Sequence, residues 1–290
     1  MSEAMKDAHE SLVSTPEERQ QVQDLCTELD RWQAELEAVD HGSDRIRYFE
    51  KVKEFRGFLS SVENADRLYI LLRRSGRDEG YKQAFRRAND IYMRGIEYLE
   101  AERISTKRAH ANRTEDLIDR QEIKLRLIRK PTDLQDLEMA DAKVIVCVGT
   151  GSMPETMMHF RDHAGFDATI IGLDNDTAAY NQGNALLSSL RWGDQLSIQH
   201  ADGADFDYSR ADIIHIAGFV SHKEGVLRQI AKTAPPHVQV TVENSAIGLM
   251  PLLYDDVNGM IPAQLYVANR AKVDAEYYQS EVLRLLKHQL

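Results

Sequence analysis

A change of hydrophobic period near residue 142 constrains the fold more than any other feature of this sequence. Five consecutive residues, Val144 to Val148, are apolar and mostly β-branched. Such a run is typical of a strand buried on both faces of a parallel sheet. Further strands are predicted at 168–173, 196–200, 211–217 and 238–242, with helical segments between them. This alternation predicts a doubly wound, Rossmann-like α/β sheet with right-handed crossovers.

The first 130 residues have a different composition. Only five of the 16 glycines and one of the seven prolines lie before residue 131, so this part is poor in turn formers. Thr15 is predicted to cap a first helix that has proline at its first position. Apolar spacing predicts further helices at 43–62, 66–74, 81–105 and 118–129, and an amphipathic helix at 271–290. We therefore expect an all-helical cap domain at 1–130 and a sheet domain at 131–290.

Charge and composition narrow the class of function. The net charge is −11, of which residues 1–130 carry −1 and residues 131–290 carry −10. So acidic a chain is poorly suited to neutralising phosphates, and we expect no nucleic-acid partner. No apolar run approaches the roughly 18 residues of a membrane span, and no signal segment is visible, so we expect a cytoplasmic protein without a membrane partner. Cys26 and Cys147 are isolated and the histidines form no ligand set, so no metal is expected.

The carboxyl ends of the predicted strands define a candidate site, because ligands of such sheets bind there. Glycine after a strand lets the backbone approach a ligand closely, and an aspartate after the second strand can accept hydrogen bonds from both ribose hydroxyls. The candidate binding residues, in strand order, are Gly149, Thr150, Gly151, Asp174, Asn175, Asp202, Gly203 and Gly218.

Two classes of ligand fit these strand ends. A dinucleotide needs a third glycine in G-x-G-x-x-G so that its pyrophosphate can rest on the helix, and Pro154 occupies that position. S-adenosylmethionine (SAM) has no phosphate and is a cation, which suits an acidic domain. The pattern therefore favours SAM, bound as a small-molecule substrate. The alternative is that these residues only form turns.

Four segments carry a resemblance to a known family. Residues 148–156 are similar to the V-G-S-G-x-x-P-x-T segment of nicotianamine synthases and of their bacterial relatives that make opine metallophores, and 172–176 resemble that family's G-x-D-x-D. Residues 244–248, followed by 252–254, resemble the plant enzymes' R-S-A-H-G and F-L-Y. Residues 95–103 resemble the bacterial helix that carries an active-site glutamate. The resemblance spans roughly residues 80–260.

The resemblance implies an unusual use of SAM. These enzymes present the Cγ of its methionine part to a nucleophile, transfer the 2-aminobutanoyl group and release methylthioadenosine. It also implies that Glu97, in a cleft between the domains, holds an ammonium group or accepts its proton. Tyr92 would place its ring against the sulfonium. On sequence alone, Glu97 is as readily a solvated residue, and a tyrosine at helical spacing is more often in the core.

One departure from the family matters most. Asn244 stands where the family has arginine, a natural clamp for a carboxylate, and Ile247 stands where it has histidine. A site without this clamp need not hold a second amino acid as acceptor. The available amine is then that of SAM itself, and its attack on Cγ gives azetidine-2-carboxylate, as in SAM cyclases related to this family. Asn244 would then contact bound SAM.

Three alternatives to cyclisation stay open. The first is transfer to an external amine such as that of histidine, which gives a metallophore precursor. The second is a small-molecule methyltransferase, and the third is a non-catalytic SAM-binding or scaffold protein. The C-terminal helix could pack on the sheet or on a second subunit, so a homodimer is also open.

The histidines add little from the sequence. His159 and His163 lie four residues apart on a predicted helix and are expected to be solvent-exposed or supporting residues. His200, His215 and His222 lie near strand ends, where they could line the pocket.

Overall fold

The structure is a computed structural model. It describes residues 15–109, 137, 139–164, 167–190, 195–244, 248–275 and 278–288. The helix predicted at 118–129 and the domain boundary expected at residue 130 lie outside this part of the chain. Contacts divide the chain into two compact units: a helical unit of Met1–Tyr92, Ser245–Asp255 and Asp274–Ser280, and a sheet unit of Met93–Asn244, Asp256–Val273 and Glu281–Leu290.

The helical unit is built from helices α1 (Pro16–Glu37), α2 (Arg45–Ser61) and α3 (Ala65–Arg74), and from the start of a 32-residue helix, α4 (Asp78–Ala109). The predicted N-cap is confirmed: the Glu18 N–H donates to Thr15 Oγ1 at 3.1 Å, and the Thr15 N–H donates to Glu18 Oε2 at 3.2 Å. Such a capping box stabilises a helix start by about 1 kcal/mol.

The core of the helical unit is aromatic. Trp32 of α1, Phe55 of α2 and Phe85 of α4 pack with ring centroids 4.3 to 5.5 Å apart. Leu29 and Leu72, in the same unit, are also fully buried. The 3.6-residue spacing of these apolar side chains explains why this part of the chain is helical.

The sheet unit contains seven strands, confirming the α/β class. They are β1 (Val144–Val148), β2 (Thr169–Asp174), β3 (Leu196–His200), β4 (Ile213–Ile216), β5 (Gln239–Asn244), β6 (Leu265–Ala275) and β7 (Tyr278–Lys287). Helices α5 (Glu155–His163), α6 (Thr177–Leu190) and α7 (Lys223–Thr233) lie between strands in the chain. The order across the sheet is β3-β2-β1-β4-β5-β7-β6. The first five strands pair in parallel. The chain runs outward from β1 to β3 on one side and from β4 to β5 on the other, so the strand order reverses between β1 and β4.

Successive residues of β1 point into two different cores. Ile145 and Cys147 belong to one cluster, which also contains side chains of α5 and α6. Val146 and Val148 belong to a second cluster, which contains side chains of α7. Burial on both faces explains the unbroken apolar run in the sequence.

The predicted C-terminal helix at 271–290 is wrong. This region belongs to β6 and β7, and β7 pairs antiparallel with β5, with Val242 opposite Leu283 and Val240 opposite Leu285. Burial of Val282, Leu283 and Leu285 against the sheet outweighs the helical propensity of this Leu-, Glu- and Lys-rich segment. The segment pairs with the sheet as a strand, and a homodimer stays a prediction.

The described residues contain neither a membrane-spanning helix nor a metal-ligand cluster. No helix there is long and apolar enough to cross a membrane. No group of three or more His, Cys, Asp or Glu side chains in the same residues has the arrangement of a metal site.

Candidate active site

The turn after β1 is shaped by two glycines with left-handed backbone. Gly149 has φ +76° and Gly151 has φ +65°, a conformation that costs other residues about 1–2 kcal/mol. The Gly149 N–H donates to the Leu173 carbonyl at 2.8 Å, which ties the turn to β2. A Cβ on Gly149 would collide with the Val220 side chain. Both glycines are therefore required by geometry, beyond any tendency to form turns.

Glu97 lies against this turn. The carboxylate of Glu97, on α4, is so close to Gly151 that a Cβ at residue 151 would overlap it. The side chain is half-buried. Sequence reasoning singled out Glu97 and Gly151 separately, and the structure places them side by side within the sheet unit.

Contacts on both sides of Glu97 fix this part of α4. Arg94, one turn earlier, forms an ion pair with Asp176, and the Gln182 side-chain amide donates to the Tyr98 carbonyl at 3.0 Å. Sequence reasoning missed Arg94 and Gln182. Their partners lie more than 80 residues away along the chain, and no local pattern reports such pairs.

Asp174 ends β2 beside the glycine turn. Its Oδ2 accepts from the Gly151 N–H at 2.8 Å, and its Oδ1 accepts from the Asp176 N–H at 2.9 Å. Each carboxylate oxygen can accept a second hydrogen bond, so Asp174 keeps capacity for a ligand hydroxyl. Asn175 is exposed, and its carbonyl lies 3.1 Å from His200 Nε2.

Asp176 organises the start of α6. Its Oδ1 accepts from the N–H groups of Ala178 and Ala179 at 2.8 and 3.0 Å. The Ala179 N–H, together with the Arg94 charge, holds the pKa of Asp176 below its ordinary value despite partial burial. Asp176 therefore carries a negative charge that fixes both the helix start and Arg94.

The turn after β3 has one exposed and one buried residue. Asp202 is exposed, and its Oδ1 accepts from the Ala204 N–H at 2.8 Å. Gly203 is buried, and its carbonyl accepts from the Tyr208 hydroxyl at 2.8 Å. Burial, with the Asp202 charge nearby, raises the pKa of Tyr208 well above its ordinary value. The Tyr208 hydroxyl thus stays protonated and fixes the turn.

Gly218, after β4, lies among polar groups, of which Lys223 and His215 are buried. Its N–H donates to Glu243 Oε2 at 3.0 Å, and its carbonyl accepts from Lys223 Nζ at 2.6 Å. His215 Nε2 lies 3.5 Å from Glu243 Oε1. Sequence reasoning missed Glu243, because it ended β5 at Val242, one residue too early to include this carboxylate.

Thr150 completes the turn after β1. Its hydroxyl oxygen is buried and has no hydrogen-bond partner among the described residues. Because a buried hydroxyl without a partner costs about 1–3 kcal/mol, this oxygen is suited to bonding a ligand. Thr150 thus lies with Gly149, Gly151 and Asp174 at the ends of β1 and β2, and this turn has no third glycine for a pyrophosphate.

Asn244 has a structural role that the sequence did not indicate. The side chain is fully buried; its Nδ2 donates to Glu281 Oε1 at 2.7 Å, and its Oδ1 accepts from the Val257 N–H at 2.9 Å. Glu281 also pairs with Arg270 at 3.0 Å. Both polar groups of Asn244 are thus engaged within the protein, and the expected contact of Asn244 with bound SAM has no support in this geometry.

The residues that follow β5 belong to the helical unit. Gly248 has φ +58°, and its N–H donates to Asp66 Oδ1 at 2.5 Å. Arg86 of α4 bonds Asp255 Oδ1 at 2.6 Å and the Tyr254 carbonyl at 2.7 Å. Residues 245–247, which include the position of the family histidine, lie outside the described part of the chain.

The ring of Tyr92 already has neighbours in the helical unit. It packs edge-on against Phe49, with centroids 5.5 Å apart, and the Arg56 guanidinium lies 5.6 Å from its centroid. These contacts match the interpretation of Tyr92 as a core residue. Its proposed stacking on a sulfonium stays a prediction.

The histidines have different environments. His159 is buried at 7% exposure, which leaves the supporting role of the two that were expected, and the side chain of His163 lies outside the described residues. His200 is exposed, with its ring 5.4 Å from that of Tyr180. His222 is exposed at the start of α7, and His215 is buried.

The fold and the strand ends define a doubly wound α/β sheet whose carboxyl edge holds a glycine turn, an acidic second strand and a helix-borne glutamate. This is the fold of the nicotianamine synthase MtNAS. A crystal structure of MtNAS in complex with MTA and tNA superposes with a TM-score of 0.68 and 12% sequence identity, over 91% of this chain and 98% of that one. A glutamate-to-glutamine variant of MtNAS in complex with S-adenosylmethionine gives a TM-score of 0.66 at 12% identity, over 90% and 97%. No protein-family model and no curated protein sequence matches the chain. The resemblance first drawn from four short motifs is thus confirmed at the level of the fold.

Proposed function

We propose that this protein is an enzyme that consumes SAM at the methionine Cγ and releases methylthioadenosine. The observation that carries the proposal is the position of the Glu97 carboxylate against Gly151 of the turn after β1. Ligands of such sheets bind at the carboxyl ends of the strands. A base at Glu97 would therefore lie next to a nucleoside-linked substrate that passes over the turn after β1. Complexes of MtNAS with S-adenosylmethionine and with MTA, the common abbreviation of methylthioadenosine, support this choice of substrate.

The site residues would divide the substrate between them. Asp174 would accept hydrogen bonds from the ribose hydroxyls, with Asn175 beside it. The backbone of Gly149, Thr150 and Gly151 would lie against the chain of the methionine part. The Asp202–Gly203 turn would meet the adenine, and Gly218 would border the other end of the ligand. A net charge of −10 over residues 131–290 favours a cationic substrate.

Intramolecular cyclisation is the reaction we favour. The α-amine of SAM attacks Cγ, the Cγ–S bond breaks, and sulfur keeps the bonding pair as the neutral thioether of methylthioadenosine. The proton lost by the amine passes to Glu97, and the four-membered product is azetidine-2-carboxylate. An α-amine has an ordinary pKa near 8. Near neutral pH, removal of its proton by a positioned carboxylate therefore costs only a modest free energy.

The engagement of Asn244 supports cyclisation over transfer. Its side chain is neutral, fully buried and bonded to Glu281 and Val257. The position where the family has a carboxylate-binding arginine therefore provides no cation for the carboxylate of a second amino acid. The runner-up is transfer of the 2-aminobutanoyl group to an external amine, and it is favoured by the complex of MtNAS with MTA and tNA.

Product analysis tests this proposal directly. Purified protein is incubated with SAM alone, and with SAM plus histidine or a mixture of amino acids, and products are identified by mass spectrometry. The proposal predicts methylthioadenosine in both incubations. Methylthioadenosine formed solely when an amine is added would replace cyclisation by transfer. S-adenosylhomocysteine as product would indicate methyl transfer, and failure to bind or consume SAM would indicate a scaffold protein.

A further inference from the structure

Glu243 lies at the carboxyl edge of the sheet, beside the point where the strand order reverses. Gly218 follows β4, which is the neighbour of β1 across that reversal, and Glu243 is the next-to-last residue of β5. Ligands of doubly wound sheets bind in the crevice outside this point. The mechanism above gives Glu243 no role.

Backbone and side-chain contacts hold the Glu243 carboxylate in place. Its Oε2 accepts from the Gly218 N–H at 3.0 Å, and its Oε1 faces His215 Nε2 at 3.5 Å. His215 lies opposite Thr241 in the β4–β5 register. The three side chains of Thr241, His215 and Glu243 form a polar column along these two strands.

The column opens toward the carboxyl edge. Thr241 is fully buried and His215 is 2% exposed, whereas the side chain of Glu243 is 18% exposed. Glu243 is thus the member of the column that a ligand can reach.

Hydrogen bonding within the column orients the ring of His215. The Thr241 hydroxyl lies 3.5 Å from the Ile214 carbonyl, to which it donates, and 3.0 Å from His215 Nδ1. These contacts hold the imidazole ring with its Nε2 directed toward Glu243.

His215 Nε2 is buried and has no hydrogen-bond partner among the described residues. Glu243 Oε1 lies 3.5 Å from it, which is too long for a strong hydrogen bond. Because a carboxylate oxygen can accept more than one hydrogen bond, Glu243 can bind a charged donor in addition to its protein partners. A primary ammonium group has three such donors.

We propose that Glu243, supported by His215, binds the α-ammonium of the amino-acid part of SAM. This assignment rests on the proposed function and extends it from the nucleoside end of the substrate to the other end. With the ribose at Asp174 of β2, a ligand that crosses the turn after β1 brings its far end to β4 and β5. Glu243 then holds the ammonium form on binding, and Glu97 accepts the proton when the amine reacts.

The test compares three unreactive ligands by calorimetry: S-adenosylhomocysteine, its analogue without the α-amine, and methylthioadenosine. The native protein should prefer S-adenosylhomocysteine over the deaminated analogue by about tenfold or more, the usual strength of a charge-assisted hydrogen bond. In Glu243→Gln the preference should fall to about twofold. Methylthioadenosine has no amino-acid part, and its affinity should be unchanged in the variant.

The structure offers a matched control. Asp212 accepts from His237 Nε2 at 3.0 Å and from the Val144 N–H at 2.9 Å. This carboxylate–histidine pair lies at the amino ends of the same two strands, away from the site. Asp212→Asn should therefore keep the full preference for the α-amine.

The outcomes separate the two proposals. If Glu243→Gln keeps the full preference for the α-amine, the role of Glu243 is overturned and the proposed function is left intact. If the variant binds all three ligands more weakly by the same factor, the role of Glu243 is structural, which overturns the proposal in the same way. Absence of binding of any ligand to the native protein overturns both. Glutamine keeps an acceptor for the Gly218 N–H, so the variant should fold. Glu243→Asp provides a second test, because it keeps the charge but draws it back, and it should lose most of the preference.

Discussion

Replacing Glu97 by glutamine is the sharpest single perturbation of the proposed mechanism. The amide has nearly the shape of the carboxylate, so the contact with the turn at Gly151 is kept. What is lost is the negative charge and the ability to accept a proton. Glu102→Gln is the matched control, because Glu102 is exposed and lies further along the same helix.

The expected magnitude follows from the role of the base. General-base catalysis by a positioned side chain contributes about 10²- to 10⁴-fold to a rate, which corresponds to about 3–5 kcal/mol of activation free energy. Binding should change far less, because Asp174, the turn after β1 and Glu243 are untouched. We expect turnover to fall by about 10²-fold or more, with the affinity for S-adenosylhomocysteine altered by less than about tenfold.

The assay is single-turnover formation of methylthioadenosine, followed by quenched sampling and mass spectrometry, with calorimetry for affinity. Glu102→Gln should behave as the native protein. If Glu97→Gln turns over at the native rate, Glu97 is not the base. If affinity and turnover fall together by the same factor, Glu97 binds substrate without accepting its proton.

Further predictions concern the scaffold around the site. Gly151→Ala should abolish turnover and lower the free energy of unfolding in urea by about 1–2 kcal/mol, because of its positive φ and the overlap described above. Gly80→Ala, in an open helical position, should instead raise that free energy by about 0.5–1 kcal/mol and leave turnover unchanged; a loss of stability would contradict it. A double-mutant cycle of Arg94→Gln and Asp176→Asn should give a coupling of no more than about 1 kcal/mol, because the Arg94 side chain is 59% exposed. Because the pKa of Asp176 is lowered in the folded protein, ionised Asp176 stabilises the fold at neutral pH, and this stabilisation is lost as the pH falls below 3.8, the ordinary pKa of an aspartate. The difference in the free energy of unfolding between the native protein and Asp176→Asn should therefore be smaller at pH 3 than at pH 7. Asn244→Ala should cost about 2–4 kcal/mol by leaving buried partners unsatisfied; a neutral result would refute the structural role.

The regular part of the fold follows from local patterns in the sequence. The first helix begins at Pro16 after the predicted cap, and β1 and β3 have the predicted bounds, because capping and apolar runs act within a few residues. Strand β5 runs two residues further than predicted, to Asn244, because pairing with β7 extends it. That extension is what brings Glu243 to the sheet edge.

The errors arise where distant segments decide the outcome. The region of β6 and β7 has helix-forming composition, yet its pairing with β5 makes it strand. From the sequence, Asn244 is interpreted as the replacement of a carboxylate-binding arginine. In the structure its side chain bonds Glu281, 37 residues later, and this contact determines its role. Partners at such separations leave no signal in a single sequence.

The most direct test of the central claim uses SAM labelled with ¹⁵N at its α-amine, incubated with the native protein and no added amine. Cyclisation predicts equimolar methylthioadenosine and azetidine-2-carboxylate, with the label retained in the ring. Homoserine or its lactone as the partner of methylthioadenosine, or no methylthioadenosine until an external amine is supplied, would contradict it.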